Sequence, residues 1–531
     1  MGRLIAILFV LLGGVVALKA IGTIKEGIEV SASKRAVLSI RTDLSETPPH
    51  SANMADLPEN PPNIVIILAD DLGWRDVGYN GSEIQTPTID QLAGAGITLH
   101  RFYVQPSCSP TRAALLTGKS PIRLGIFNPI SKKNPSGLPL NERTLADRLK
   151  AIGYQTALTG KWHLGPRNLD HHPNARGFDH FYGNLTGGVG YYDKVHGGGY
   201  DWQRNGVTIR EEGYTTELIA QEAVDFIKAR DPDRPLFLYA SFNAPHLPNE
   251  APSAAVEPYR SIKKKQRQIH AAMVSELDRA IGRIHDTLVA EGIDRETLIW
   301  FLSDNGGLIA KNQLRHLPNP IFSKAVEARF SIKANPVFID FVRTNLRDGG
   351  SDNRPFKGGK QSVSEGGVRV PSFVYWPGRI GPGDHNHMTT VQDIVPTLME
   401  ISKAPRDGTR FDGRPLWDAL QSGSPGPAMD YIVQTSQLGQ TFAIYRYPYK
   451  MIEHDKGQQL FNIEADPLEK RNIANKHSDL VDALSMSLKA FPRGTDIAIP
   501  LQNVVDDPDY FGGVEDRAPW ADQAVAVHGN D

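Results

Sequence analysis

Cys108 is the only cysteine in a chain of 531 residues. It stands in the run Pro106-Ser107-Cys108-Ser109-Pro110-Thr111-Arg112-Ala113-Ala114-Leu115-Leu116-Thr117-Gly118. Pro110 suits a first helical turn, where its missing N–H has no intrahelical partner to lose. The Ala and Leu residues propagate a helix and Gly118 can end it. Cys108 therefore falls at a helix N-terminus, with Arg112 one turn further on near the same face. Residue type leaves two chemistries open. A lone buried cysteine packs as a small apolar group. A thiolate with its pKa lowered by the helix end and Arg112 is a nucleophile.

Other stretches carry matching chemistry. Asp70-Asp71 follow a continuous apolar run, and two adjacent carboxylates there are costly unless paired or bound to a metal; taken alone they read equally as a solvated Asp turn. Asp304-Asn305 follow a second such run. Asp70, Asp71, Asp304 and Asn305 form an all-oxygen donor set, which suits a hard divalent ion rather than zinc. His163 lies in Gly160-Lys161-Trp162-His163-Leu164-Gly165, and His246 in Asn243-Ala244-Pro245-His246. Lys360 sits on the flexible turn Gly358-Gly359-Lys360.

These groups must be positioned by the elements that precede them. Asn63–Leu68, Tyr154–Leu158, Pro235–Ala240 and Thr297–Leu302 are apolar, mostly β-branched or aromatic runs, the pattern of buried parallel strands. Thr216–Arg230 and Ile269–Glu291 follow the helical period. Val363–Phe373 returns the chain to the sheet, and Gln392–Leu398 begins another helix. Alternating strands and helices predict an α/β fold, with a large, mostly parallel mixed sheet flanked by helices. Ligands of such sheets sit at the carboxyl ends of the strands. Ala443–Tyr449, Lys450–Glu453 and Gln459–Ile463, with a helical stretch starting at Asp466-Pro467-Leu468-Glu469, predict a smaller C-terminal antiparallel sheet plus helix.

A net charge of −2 gives no footprint for nucleic acid, and one cysteine excludes an internal disulfide and a cysteine-based zinc site. The apolar run at residues 4–18, preceded by Arg3, has the length of a signal-peptide core; extended to residue 24 past a snorkelling Lys19, it is long enough for a membrane anchor. Its place at the chain start argues against a buried core helix. The organisation read from these features is a signal peptide or anchor at 1–24 and a linker at 25–61. A catalytic region follows at 62–428, with an insertion at 308–353, and a small α+β subdomain and tail at 429–531. An exported protein is expected, periplasmic, extracellular or lumenal, with anchoring through residues 4–24 as one form.

Seven stretches together resemble the type I sulfatases of the alkaline phosphatase superfamily, in that family's order. They are Asp70-Asp71, the Cys-x-Pro-x-Arg pattern at Cys108, Gly160–Gly165, Pro245-His246, Ser303-Asp304-Asn305-Gly306, Gly359-Lys360 and Glu365-Gly366-Gly367-Val368-Arg369. Arg176–Gly183 and Asp412–Trp417 look most like the arylsulfatase B branch, which acts on N-acetylgalactosamine 4-sulfate. The resemblance implies a sulfuric ester hydrolase acting on a sulfated small molecule or glycan. It implies that a formylglycine-generating enzyme oxidises Cys108 to Cα-formylglycine, and that one calcium ion is held by Asp70, Asp71, Asp304, Asn305 and the modified Cys108. Arg112 and Lys161 would hold the hydrated aldehyde and His163 would be the base. His246 and Lys360 would bind sulfate and help protonate the leaving oxygen. One aldehyde hydroxyl would attack sulfur, and the other, deprotonated, would expel sulfate. Residues 308–353 depart from the family, whose members have a short link there. That segment is basic and borders Asn305 and Lys360, so it is expected to form part of the substrate rim or to be a solvated insertion. Two other functions fit the same residues: a phosphonate or phosphodiester hydrolase of the superfamily, and a non-catalytic binder of sulfated glycans.

Overall fold

The computed structural model describes residues 61–497 apart from 133, 197–198, 310–348, 406, 428–431 and 437–440, together with the backbone of 525–526. Residues 4–24 and most of the 308–353 insertion lie outside the described residues. Within them, no helix is long and apolar enough to cross a membrane. The described residues belong to one compact unit, Ser51–Asp531.

The core is an eleven-stranded sheet. Its centre is built from β1 (Asn63–Ala69), β2 (Gln155–Lys161), β3 (His180–Asn184), β4 (Leu236–Ser241), β5 (Thr297–Ser303) and β6 (Ser372–Tyr375). They lie in the order β6-β5-β1-β4-β2-β3. All pair in parallel except β6, which is antiparallel to β5. Each of the four apolar runs is thus a strand, and each extends to or past the expected end. β1 shows why both faces are apolar. Ile64, Ile66 and Leu68 enter one core, which includes Ala113–Leu116 of helix α1 (Cys108–Thr117). Val65, Ile67 and Ala69 enter the other, which holds helices α2 (Thr215–Lys228) and α3 (Lys265–Ala290). A strand covered on both faces has no polar side to display, so alternation vanishes from its sequence.

The register aligns the strand ends. Leu68 lies opposite both Ser241 and Leu302, Ala69 opposite Ser303, and Ser241 opposite Gly160. Residues that follow β1, β5, β2 and β4 therefore emerge side by side on one edge. Gly160 is required there. Its φ is +109°, and a Cβ would lie 1.9 Å from the Ser241 carbonyl oxygen.

The small sheet has four antiparallel strands, Ile432–Thr435, Thr441–Arg446, Tyr449–His454 and Gly457–Asn462. The first was not expected from the sequence, and the expected Ala443–Tyr449 run breaks at Arg446 for a Tyr447-Pro448 turn. The terminal helix is Ser478–Ala490, not a stretch beginning at Asp466. Asp466 Oδ2 instead accepts from Lys470 N and Arg471 N, and Glu469 has φ +53°, which a helix forbids. The Glu469 carboxylate is drawn inward to Lys450 Nζ (2.7 Å), which also bonds Glu365 (3.0 Å). Tyr103 Oη donates to Glu365 as well (2.8 Å). The Glu365–Arg369 stretch thus ties the small sheet to the large one through a buried ion triad. Lys450→Met is expected to cost about 3–5 kcal/mol, because it leaves two buried carboxylates facing each other. A fall in the urea midpoint at unchanged slope would show it.

Candidate active site

Asp70 and Asp71 leave β1, and Asp304 and Asn305 leave β5. Asp304 N donates to the Ala69 carbonyl (3.0 Å) and Asp71 N to Asp304 Oδ1 (3.2 Å), so the two strand ends are stitched together. Asn305 Nδ2 donates to Asp71 Oδ1 (2.7 Å). Asp71 has φ +68° and His163 φ +59°. Neither is a glycine, and strained backbone of this kind persists where its surroundings dictate it.

Three carboxylates meet three fixed cations. Lys161 Nζ, on the last residue of β2, bonds Asp70 Oδ2 (2.6 Å). Lys360 Nζ bonds Asp71 (2.7 and 2.8 Å) and lies 3.4 Å from Cys108 Sγ. Arg112 donates twice to Asp304 Oδ2 (2.9 and 3.2 Å) and stands 3.7 Å from Asp70. Asp70, Asp304, Arg112 and Lys161 are fully buried. Burial opposes the charge on Asp71, but Lys360, His246 and the Asn305 hydrogen bond together hold that carboxyl below its usual range. Burial and the facing Asp70 carboxylate push Asp304 up to about 6. A crowd of carboxylates that raises its own pKa is what a bound cation relieves. Asn305 Oδ1, moreover, is buried without a hydrogen-bond partner. One ligand atom each from Asp70, Asp71, Cys108 and His246 lies within 4.8 Å of the others. The residues present therefore fit a hard divalent ion, and the cluster takes in His246 and leaves out Asp304, whose Oδ2 is held by Arg112.

Cys108 is the first residue of α1, with Ser107 as cap and Gly118 in the left-handed conformation at the other end. Burial and the Asp304 carboxylate push its thiol up to about 12. That direction is opposite to the one a thiolate nucleophile needs, and Arg112 is committed to Asp304 rather than to the sulfur. Both observations count against the thiolate reading of the sequence.

The two histidines converge, as expected. His163 Nε2 donates to the Ile130 carbonyl (3.1 Å). A carbonyl only accepts, so the neutral ring holds its lone pair on Nδ1. His246 Nδ1 donates to the Leu247 carbonyl (2.6 Å), and Nε2 lies 3.7 Å from Asp71 Oδ2. Burial and the Lys360 ammonium push His246 down to about 3.

Sequence reading missed the residues that brace this set. Ser241, the last residue of β4, accepts from Arg112 (2.6 Å) and donates to the Lys161 carbonyl (2.7 Å). Asn353 bonds both the N–H and the carbonyl of Gly307 (both 2.8 Å), so the 308–353 segment leaves and returns at one point. Gly187 and Gly188 press their backbone on the two histidine rings. A Cβ at Gly187 would lie 2.7 Å from His163, and one at Gly188 3.0 Å from His246. The Gly-Gly pair after β3 was the available signal.

The sulfatase family model matches residues 62–404. Arylsulfatase J of Mus musculus is 30% identical over 544 residues, covering 90% of this chain and 84% of that protein. N-acetylgalactosamine-6-sulfatase of Canis lupus familiaris is 33% identical over 388 residues, covering 68% of this chain and 66% of its own length. Among solved structures, Ps i-CgsB in complex with k-i-k-neocarrahexaose superimposes with a TM-score of 0.72 at 29% identity, covering 86% of this chain and 99% of that one. A motif set in order, an alkaline-phosphatase-like sheet and this degree of similarity agree: the chain belongs to the sulfatase family, whose members hydrolyse sulfate esters.

Proposed function

We propose that the protein is an exported, calcium-dependent sulfatase of sulfated sugars, matured by conversion of Cys108 to Cα-formylglycine by a formylglycine-generating enzyme. The observation that carries this reading is the convergence of Cys108, three carboxylates, three cations and two histidines at the ends of adjacent strands. Asp70, Asp71, Asp304, Asn305 and the modified Cys108 would hold the ion. Bound calcium would supply neutralising charge for the sulfate, and formylglycine would supply the attacking hydroxyl. With three carboxylates already balanced by Arg112, Lys161 and Lys360, a dication leaves the site net positive for a sulfate monoester anion.

His163 Nδ1 takes the proton whose loss lets sulfate leave. His246 and Lys360, which meet at Asp71, bind the sulfate and help protonate the departing alcohol, Lys360 being the group that carries charge in the free site. Arg112 and Lys161 fix the residue at position 108. His163→Ala is expected to leave a fast first release of alcohol followed by slow turnover. His246→Ala should mainly slow esters of poor leaving groups. Stopped-flow release of 4-nitrophenol, set beside turnover of an alkyl sulfate, separates the two; identical behaviour of both variants would refute the assignment.

Comparing 4-nitrophenyl sulfate with bis(4-nitrophenyl) phosphate tests the reaction class. Preference for the phosphodiester would overturn it. Peptide mass spectrometry across Cys108 tests the modification; active protein carrying only the thiol would exclude it, and inactive protein carrying only the thiol would favour the glycan-binding alternative.

A further inference from the structure

The strap that presses on both histidines continues into an aromatic ledge. Tyr191, three residues past Gly188, is buried, and its hydroxyl donates to the backbone carbonyls of Asn243 (2.9 Å) and His246 (2.8 Å). Its ring stacks on Tyr214 (centroids 5.1 Å apart), which bonds the Glu250 carbonyl through its hydroxyl (3.0 Å). Tyr192 packs on the same Tyr214 ring (5.4 Å), yet its side chain is left 49% exposed. A phenol ring in water normally has no reason to be held in place. This one is. The buried Lys194 ammonium bonds the Tyr192 carbonyl (2.9 Å) together with the carbonyls of Glu211 (3.0 Å) and Gly213 (2.8 Å), fixing the turn that presents the ring.

Tyr191 spans from the His246 backbone to the residue beside Tyr192. The chain of contacts from the His246 carbonyl through Tyr191 and Tyr214 to Tyr192 puts the exposed ring within the reach of an oligosaccharide bound beside His246. Burial, then the carboxylates Glu250, Glu217 and Glu276, the last paired with Arg279, push the Tyr192 phenol up. Carboxylates accept from sugar hydroxyls and repel a second sulfate.

We propose that Tyr192, with the Tyr214–Glu250 ledge beneath it, is a saccharide subsite for an unsulfated pyranose adjoining the residue that loses its sulfate. The proposal rests on the sulfatase reading and adds the chemistry of the neighbouring sugar. The apolar face of a pyranose stacks on the exposed ring, which is amphipathic and needs no reordering to receive it.

The test uses the full-length matured protein with three probes: 4-nitrophenyl sulfate, a carrageenan-type hexasaccharide and a chondroitin-sulfate hexasaccharide. Tyr192→Ala is expected to raise KM for the oligosaccharide the wild type hydrolyses by about tenfold, the loss of one stacked ring. Its kcat should hold, and its kinetics on 4-nitrophenyl sulfate should stay within about twofold. Tyr192→Phe keeps the ring and should keep the wild-type KM. The residue is exposed, so unfolding midpoints of both variants should match the wild type. Placing a sulfate on the adjoining sugar should raise the wild-type KM. Unchanged oligosaccharide KM in Tyr192→Ala, equal losses on the aryl sulfate, or preference for the doubly sulfated oligosaccharide overturns the subsite. Wild-type turnover of the aryl sulfate but of neither oligosaccharide overturns it too, with the sulfatase reading intact; no turnover of any probe defeats that reading instead.

Discussion

Cys108→Ala is expected to abolish turnover of 4-nitrophenyl sulfate, to below about one part in ten thousand of the wild-type rate, while the protein remains folded. The two halves of that expectation have separate grounds. Stability survives because the thiol makes little: its nearest partners are Lys360 Nζ at 3.4 Å and Asp70 Oδ1 at 3.6 Å. Lys360 keeps Asp71 when the sulfur goes, and alanine is the best helix former for the first turn of α1. Activity is lost because no neighbour can replace the nucleophile. Ser109 is turned away, its hydroxyl donating to the His163 carbonyl (2.8 Å) and accepting from Ile130 N (2.9 Å). The effect exceeds that of losing any one charge-stabilising donor, which costs about 10²–10³. Cys108→Ser separates nucleophile from recycling. A serine hydroxyl can attack sulfur once, expelling nitrophenol and becoming sulfated, but has no second hydroxyl with which to expel sulfate, so it should give at most one equivalent of nitrophenol per chain. Circular dichroism melting controls for the fold. Multiple turnovers by either variant would remove position 108 from the chemistry.

Much of the site was legible because Asp70, Asp71, Asp304 and Asn305 follow strands whose own sequence is loud. Runs such as Ile64–Leu68 and Leu298–Leu302 are apolar on both faces, and their carboxyl ends are marked by Asp, Asn and Gly. Strand order was not legible. β4 sits between β1 and β2, which sets His246 beside Asp71, and only the parallel pairing shows it. Ser241 was hidden for a different reason: a serine ending an apolar strand carries no chemical signature until Arg112 is seen to need an acceptor. Tyr191 and Tyr192 were equally silent, since a pair of tyrosines in a loop carries no signature that separates the buried ring from the exposed one. The Glu365–Arg369 stretch was legible as a pattern but not in its role, which depends on Lys450, 85 residues away in sequence. The Asp466–Glu469 stretch misled because an Asp-Pro-x-Glu start is a good helix signal locally. A buried Lys450 needing a second carboxylate overrode it.

Asp304→Asn is expected to remove cation binding and lower turnover by at least about a thousandfold without unfolding the protein. Asp304→Ala would remove binding too, but it strands Arg112, which is fully buried and donates to Asp304 through two nitrogens. An unpaired buried guanidinium costs about 3–5 kcal/mol, so loss of activity in that variant confounds chemistry with folding. The asparagine keeps one oxygen for the two arginine donors at the Oδ2 position and gives up only the acceptor of the longer Asp71 N bond (3.2 Å). What it loses is one of three negative charges, and affinity for a hard dication depends on ligand charge count. The readout is binding itself. For the wild type, calcium at about a hundred times its Kd adds about 2.7 kcal/mol of stability and raises the unfolding midpoint. The Asp304→Asn midpoint should not move over that range, and isothermal titration should show no calcium heat. Zinc should substitute poorly, since carboxylate and amide oxygens outnumber the one nitrogen donor, His246. Wild-type activity that survives exhaustive chelation, or an equal calcium shift in the variant, would show that these carboxylates serve only to pair Arg112, Lys161 and Lys360.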